Sequence, residues 1–347
     1  MPEPLTVPIG TYVASGGAGV VPLTIAPDGT LSAGEPYRSA RNASFAVRAA
    51  GSGLLYLVDE EAGMIGVHRR DGAHWRELAR VPSGGSAPCY LSLDREERFL
   101  AVANYDSGHV ALFELDEYGL PQEPPGLFRA PGQGPVAERQ EGPHAHCVRF
   151  APDNSSLYMV DLGADRVMRL ALEGGGLGEG SQAWRAPAGS GPRHLLFHPQ
   201  LPLAVLLSEL ASTLTLLGLR DDGTLRPIQV VSTLPTDFTG ESLGGHLEFD
   251  GVGRRIYVSN RGHNSIALFE LEIDGRSNGR LNSVCHVPSG GDHPRHFRLI
   301  DSADQGDLLI VAHEQDGHVG IFSLADNGRP RPLGNGIRID GACCVLC

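Results

Sequence analysis

Residues 191–210 read GPRHLLFHPQLPLAVLLSEL, which puts an arginine and a histidine at the start of an apolar, strand-like run and a lone carboxylate, Glu209, at its end. A guanidinium offers a planar fork of donors that matches an oxyanion. An imidazole changes charge near neutral pH and can carry a proton. The same residue types recur elsewhere: His144 and His146 in EGPHAHCVRFAPD, Arg261 in SNRGHNS, and Arg295 and His296 in HPRHFRL. Three arginines, a carboxylate and several imidazoles are the materials for holding an anion and moving a proton. Far apart in sequence, they can act together only if the fold gathers the ends of several strands.

The chain repeats itself in a way that does this. LYLVDEEAGMIGVHR (55–69), LAVANYDSGHVALFEL (100–115), LYMVDLGADRVMRLAL (157–172), LAVLLSELASTLTLLGL (203–219), IYVSNRGHNSIALFEL (256–271) and LIVAHEQDGHVGIFSL (309–324) share one pattern. An apolar strand ends in a small or polar anchor, a short turn follows, and a second apolar strand returns. IGTYVASGGAGVVPLTI (9–25) is a divergent first copy, so the anchors are Thr11, Asp59, Asn104, Asp161, Ser208, Asn260 and His313, with a period of about 50 residues. Seven such copies predict an all-β fold, a seven-bladed β-propeller forming a single domain over residues 1–347.

Six copies are preceded by a further short run, such as HCVRF at 146 and RHLLF at 193, and the first copy has no room for one. The carboxyl-terminal CCVLC (343–347) overlays HCVRF position for position. It is therefore expected to join the amino-terminal blade and close the ring, leaving no exposed edge there. On this account its cysteines are core strand residues.

In a propeller the lead position of each inner strand and the turn after the second strand surround one face. The lead positions are Ala43, Cys89, His146, Arg193, Gly245, Arg295 and Cys343, and the turn positions are Tyr12, Glu60, Tyr105, Leu162, Glu209, Arg261 and Glu314. The candidate catalytic set is His146, His144, Arg193, Glu209 and Arg261, with Arg295, His194 and His296 as candidates for substrate contact. The competing architectural reading is that His, Asp and Arg at propeller turns bridge blades. It is disfavoured for the set because equivalent positions hold Ala, Gly, Cys and Leu. It is retained for His194 and His296, which, like His246, fall one residue beyond a lead position where they can bond to backbone between blades. Alternation along HAH would point both imidazoles the same way, and which of them is the base stays open. No metal-binding spacing and no phosphate loop opening a helix are present, so neither metal nor cofactor is expected.

Composition narrows the partners. Every one of the 28 basic residues is arginine, and a net charge of −13 argues against nucleic acid or an anionic membrane, both of which reward basic surfaces. MPEPLTVPIG lacks the basic and apolar regions of a secretory signal, which makes the cytoplasm the expected location. Six cysteines without framework spacing read as reduced thiols.

With GPRHLLFHP…SEL, YVSNRGHNSIALF, HPRHF and the opening GTY, the chain resembles the lactonase family of seven-bladed propellers, which includes bacterial 6-phosphogluconolactonase and fungal 3-carboxy-cis,cis-muconate lactonising enzyme. The resemblance implies that a histidine of the HAH segment, Arg193, Glu209 and Arg261 match the family's active-site residues. It departs at Ser208, where the family often has Asn, and at AHEQDGH, where ANQ is usual. The expected activity is hydrolysis of a small anionic sugar lactone, 6-phospho-D-glucono-1,5-lactone, in the pentose phosphate pathway. The alternatives are cyclisation of a carboxymuconate and a non-catalytic propeller that binds another protein. The last would call for aromatic and apolar residues on the face, where charged and small ones stand.

Overall fold

The computed structural model describes residues 3–71, 74–275, 278–302 and 306–346. Among these the secondary structure is strand apart from one 3-10 turn, Val13–Ser15, and no helix is long and apolar enough to cross a membrane. The strands form the seven antiparallel sheets that the repeat predicts, each at least four strands deep. Blade 4 is representative: Ala145–Phe150, Ser156–Asp161, Arg166–Glu173 and Gly176–Arg185, in that order across the sheet. Blade 5 repeats it with Pro192–Phe197, Leu203–Ser208, Thr213–Leu219 and Leu225–Ser232.

The chain divides into two compact units. One comprises Phe45–Val230 with Gly275–Asn278 and holds blades 2 to 5. The other comprises Met1–Ser44, Val231–Asp274 and Gly279–Cys347 and holds blades 6, 7 and 1. In the latter, Ala342–Val345 pairs antiparallel with Leu5–Thr11, so the carboxyl-terminal strand completes the first blade as expected. Cys343 and Cys344 are fully buried there; Cys347 lies outside the described residues.

The second strands are apolar on both faces because both are covered. Leu203–Ser208 and Ser156–Asp161 are buried at every position, as strands sandwiched between neighbouring sheets must be. In the larger unit Val148, Met159, Val160, Leu195 and Leu206 belong to one core that runs across blades 3 to 5. A repeated polar latch accompanies this packing. Buried tyrosines on the second strands of blades 2, 4 and 6 donate to glycine carbonyls in the outer hairpins of blades 3, 5 and 7: Tyr56 to Gly119 at 2.7 Å, Tyr158 to Gly223 at 2.8 Å and Tyr257 to Gly328 at 2.8 Å. Each acceptor glycine has φ near +80°, a conformation that costs side-chain-bearing residues energy but leaves the carbonyl aimed at the phenol.

One backbone device bears on function. The register of the inner strands slips by one residue at His146, Arg193, Arg295, Cys89 and Cys343: Ala145 faces Asp161 and Cys147 faces Val160, while Pro192 faces Ser208 and His194 faces Leu207. Five of the seven lead positions are therefore β-bulge residues. A bulge leaves one residue out of the ladder and re-aims its side chain.

Candidate active site

In the larger unit Glu209 is 3% exposed and its carboxylate is shared among three side chains from three segments. Arg193 Nε donates to Oε2 at 2.9 Å. An Arg139 terminal nitrogen donates to Oε1 at 2.6 Å. His146 Nε2 stands 3.8 Å from Oε2. The local sequence explains the delivery: Glu209 follows the last residue of a buried strand, where Glu209 N–H bonds to Gly191 O at 2.7 Å, and Arg193 and His146 are the bulge residues of adjacent inner strands.

The surroundings fix the rings. Arg193 reaches His194 Nε2 at 2.8 Å; a guanidinium only donates, so that nitrogen carries a lone pair. His194 packs edge-on against Tyr90 and His146, with ring centroids 5.1 and 5.4 Å away. It thus meets the bulge residue of its own blade and rings from blades 3 and 4. His144 and His146 both lie against Tyr105, at 4.5 and 5.4 Å, yet they are used differently. His144 Nδ1 donates to Tyr105 O at 3.0 Å, and its Nε2 faces Glu141 at 3.2 Å. His146 Nδ1 lies 3.8 Å from the Cys89 thiol, and Nε2 turns to Glu209.

The electrostatics follow the geometry. Burial works against the charge of Arg139, but the Glu209 carboxylate and the Tyr105 hydroxyl more than reverse it, so its guanidinium is held above the usual arginine value. Burial raises Tyr105, with Arg139 opposing and Glu209 reinforcing. The Glu209 carboxylate thus lies between two guanidiniums and beside an imidazole.

Arg261, Arg295 and His296 belong to the other unit. Arg261 is buried and donates to Gly244 O at 2.9 Å. Arg295 lies 3.4 Å from Glu314 and 5.3 Å from the centre of the Tyr12 ring. His293 is lowered by burial and then by Arg261, with Glu314 and Asp292 opposing and Arg295 reinforcing. His296 Nδ1 accepts from Val345 N–H at 3.4 Å and its ring stacks on His246 at 4.0 Å. This is the bond to backbone between blades anticipated for it.

Sequence reasoning had no role for Arg139, which sits between the repeats, and named Tyr105 and Cys89 only as repeat positions. No periodic signal marks Arg139. The excess of charge in AERQEG is the only hint.

An imidazole beside an arginine-bound carboxylate can move a proton and hold an anion. The family described as "Lactonase, 7-bladed beta-propeller" matches residues 6–347, and the chain belongs to that family. It is 32% identical over 345 residues, 97% of this chain and 96% of the relative, to the 6-phosphogluconolactonase of Bacillus subtilis strain 168. Among solved structures it is similar to the periplasmic gluconolactonase of Pseudomonas aeruginosa, with a TM-score of 0.88 and 25% identity over 99% of this chain and 98% of that one. It is also similar to a protein from Lactobacillus plantarum, with a TM-score of 0.88 and 26% identity over 99% of each chain.

Proposed function

We propose that the protein hydrolyses a sugar lactone, with 6-phospho-D-glucono-1,5-lactone as substrate, which would place it in the pentose phosphate pathway. The observation that carries the reading is the His146–Glu209–Arg193 grouping, with Nε2 of His146 at 3.8 Å from the carboxylate and Arg193 Nε bonded to it at 2.9 Å. The likeness to a 6-phosphogluconolactonase and a gluconolactonase supports the substrate class.

His146 takes a proton from water as the water oxygen bonds to the lactone carbonyl carbon, and the carbonyl electron pair moves onto its oxygen. Arg193 stabilises that oxyanion. Collapse breaks the bond from the carbonyl carbon to the ring oxygen, which leaves with the proton from His146, giving the open-chain acid. Glu209 holds Arg193 in place and stabilises the transient imidazolium, the part an orienting carboxylate plays toward a catalytic histidine. His146 is the base in this scheme because it stands beside the arginine-bound Glu209, whereas His144 faces Tyr105 O and the exposed Glu141. Arg261 and Arg295 are carried forward as candidates for the phosphate, each tested by its own alanine variant.

The test is a coupled assay on the purified protein with the phospholactone, unphosphorylated gluconolactone and 3-carboxy-cis,cis-muconate. Hydrolysis of the phospholactone well above the buffer rate, and faster than that of gluconolactone, is expected. Buffer-like rates for both lactones would overturn the reading, and turnover of the muconate alone would replace hydrolysis by cyclisation.

A further inference from the structure

Arg139 lies in the 16-residue segment 129–144, between the outermost strand of blade 3, Gly126–Phe128, and the inner strand of blade 4, Ala145–Phe150. A segment of this length without strand or helix is held in place only by specific bonds. Here the anchor is the next residue. Gln140 is wholly buried, and its amide nitrogen donates to Leu162 O and to Asp165 Oδ1, both at 2.8 Å. Its carbonyl oxygen accepts from Val136 N–H at 3.1 Å, and its backbone closes a turn onto Gly134 N–H at 3.0 Å. With Gln140 pinned into blade 4, Arg139 is directed toward Glu209, seventy positions along the chain. Its terminal nitrogen reaches Oε1 at 2.6 Å and the Tyr105 hydroxyl at 3.3 Å.

The two arginines on Glu209 differ in kind. Arg193 is 4% exposed at its side chain and grips the oxygen nearest His146, whereas Arg139 is 35% exposed and grips the other oxygen. A carboxylate held at one oxygen can rotate about its last bond, because terminal sp³–sp² torsions are broad. Held at both, it has one orientation.

We infer that Arg139 is a positioning residue of this site: it locks the Glu209 carboxylate in the rotamer that presents Oε2 to Arg193 and His146, and Gln140 exists to hold it there. This rests on the reading of the cluster as a lactone-hydrolysing site, but the geometric claim can be tested without it. Arg139 acts on turnover through Glu209 and not by holding the substrate.

Arg139→Met and Arg139→Lys are assayed with the phospholactone and with unphosphorylated gluconolactone. The methionine variant is expected to lose kcat by about 10²-fold, the scale of a misplaced catalytic group, with KM within about threefold on both substrates. Lysine, with one compact charge in place of the fork, should retain part of the rate. Guanidinium added below denaturing concentration should restore part of the loss in the methionine variant. In a Glu209→Gln background Arg139→Met should do little more, the signature of two residues acting as one. A loss confined to KM for the phosphorylated substrate, or an equal loss in the Glu209→Gln background, would make Arg139 a substrate contact and overturn the inference. A crystal structure of Arg139→Met decides the matter even if no lactone is turned over: a rotated Glu209 carboxylate is expected, and an unmoved one overturns the proposal.

Discussion

Asp161 and Glu209 stand at nearly equivalent places in adjacent blades, both buried and both against arginine, yet they are engaged in opposite ways. Asp161 Oδ1 accepts from the backbone N–H groups of His144 at 2.9 Å and Ala164 at 3.2 Å, and its other oxygen takes Arg166 Nε at 3.0 Å. These bonds knit one blade's own turn. Glu209 instead meets Arg139, Arg193 and His146 through their side chains. Burial raises Asp161, with the His144 N–H and Arg166 opposing. The lesson is that burial and an arginine partner do not mark a site. A carboxylate bound to local backbone holds a turn, whereas one on which side chains converge from distant segments creates a field that chemistry can use.

Exchanging each acid for its amide tests that contrast. Glu209→Gln keeps the shape and removes the charge, and should lower turnover by about 10²–10⁴-fold, the range of general acid–base partners. The loss of this buried pair should also cost about 3 kcal/mol in urea unfolding, so turnover is taken per folded molecule. Retained activity within a few-fold of the parent would erase the distinction. Asp161→Asn should lower stability alone. Its amide nitrogen would face either Arg166 or a backbone N–H, donor against donor, and the loss of a buried pair costs about 3 kcal/mol in urea unfolding. Activity per folded molecule should stay within about threefold, because turn geometry alone is disturbed.

A third buried group shows what burial does to an imidazole. His68 in blade 2 is 1% exposed, and burial, then Arg80, lowers it to about 4. The unfolded chain takes up a proton near the ordinary value of 6.5 while the folded one resists. The stability this residue contributes is complete above about pH 6.5 and falls as the pH drops toward 4. Between pH 7.5 and 4.5 the parent should lose about 2–3 kcal/mol more than His68→Gln in denaturant unfolding. Parallel curves for the two proteins would show that His68 is charged in the fold. The smallest effect belongs to the latch: Tyr158→Phe should cost about 1 kcal/mol and leave activity unchanged, and any loss of turnover there would mean that outer hairpins reach the site.

The blades were legible because two apolar strands and a polar anchor repeat at a fixed period, and the closing strand because CCVLC overlays HCVRF. Arg193 and Glu209 were legible as positions for the same reason: the repeat aligns them with equivalents of which several are Ala, Gly, Cys or Leu. Strand alternation placed His144 and His146 on one side, and both do meet Tyr105. Their division of labour was hidden because it depends on a bulge at His146, a local slip of register with no sequence period. Arg139 was illegible for a related reason. Its placement depends on a loop folded around Gln140, and loops between repeats carry no pattern to align.

The account turns on His146 acting as the base beside an arginine-bound Glu209. Its most direct test is hydrolysis of 6-phospho-D-glucono-1,5-lactone by the parent, His146→Asn and His144→Asn under one set of conditions. The account predicts a parent rate well above buffer, a loss of about 10²-fold or more in His146→Asn and a rate within several-fold of the parent in His144→Asn. A parent rate equal to buffer, or a His146→Asn variant as active as the parent, would contradict it.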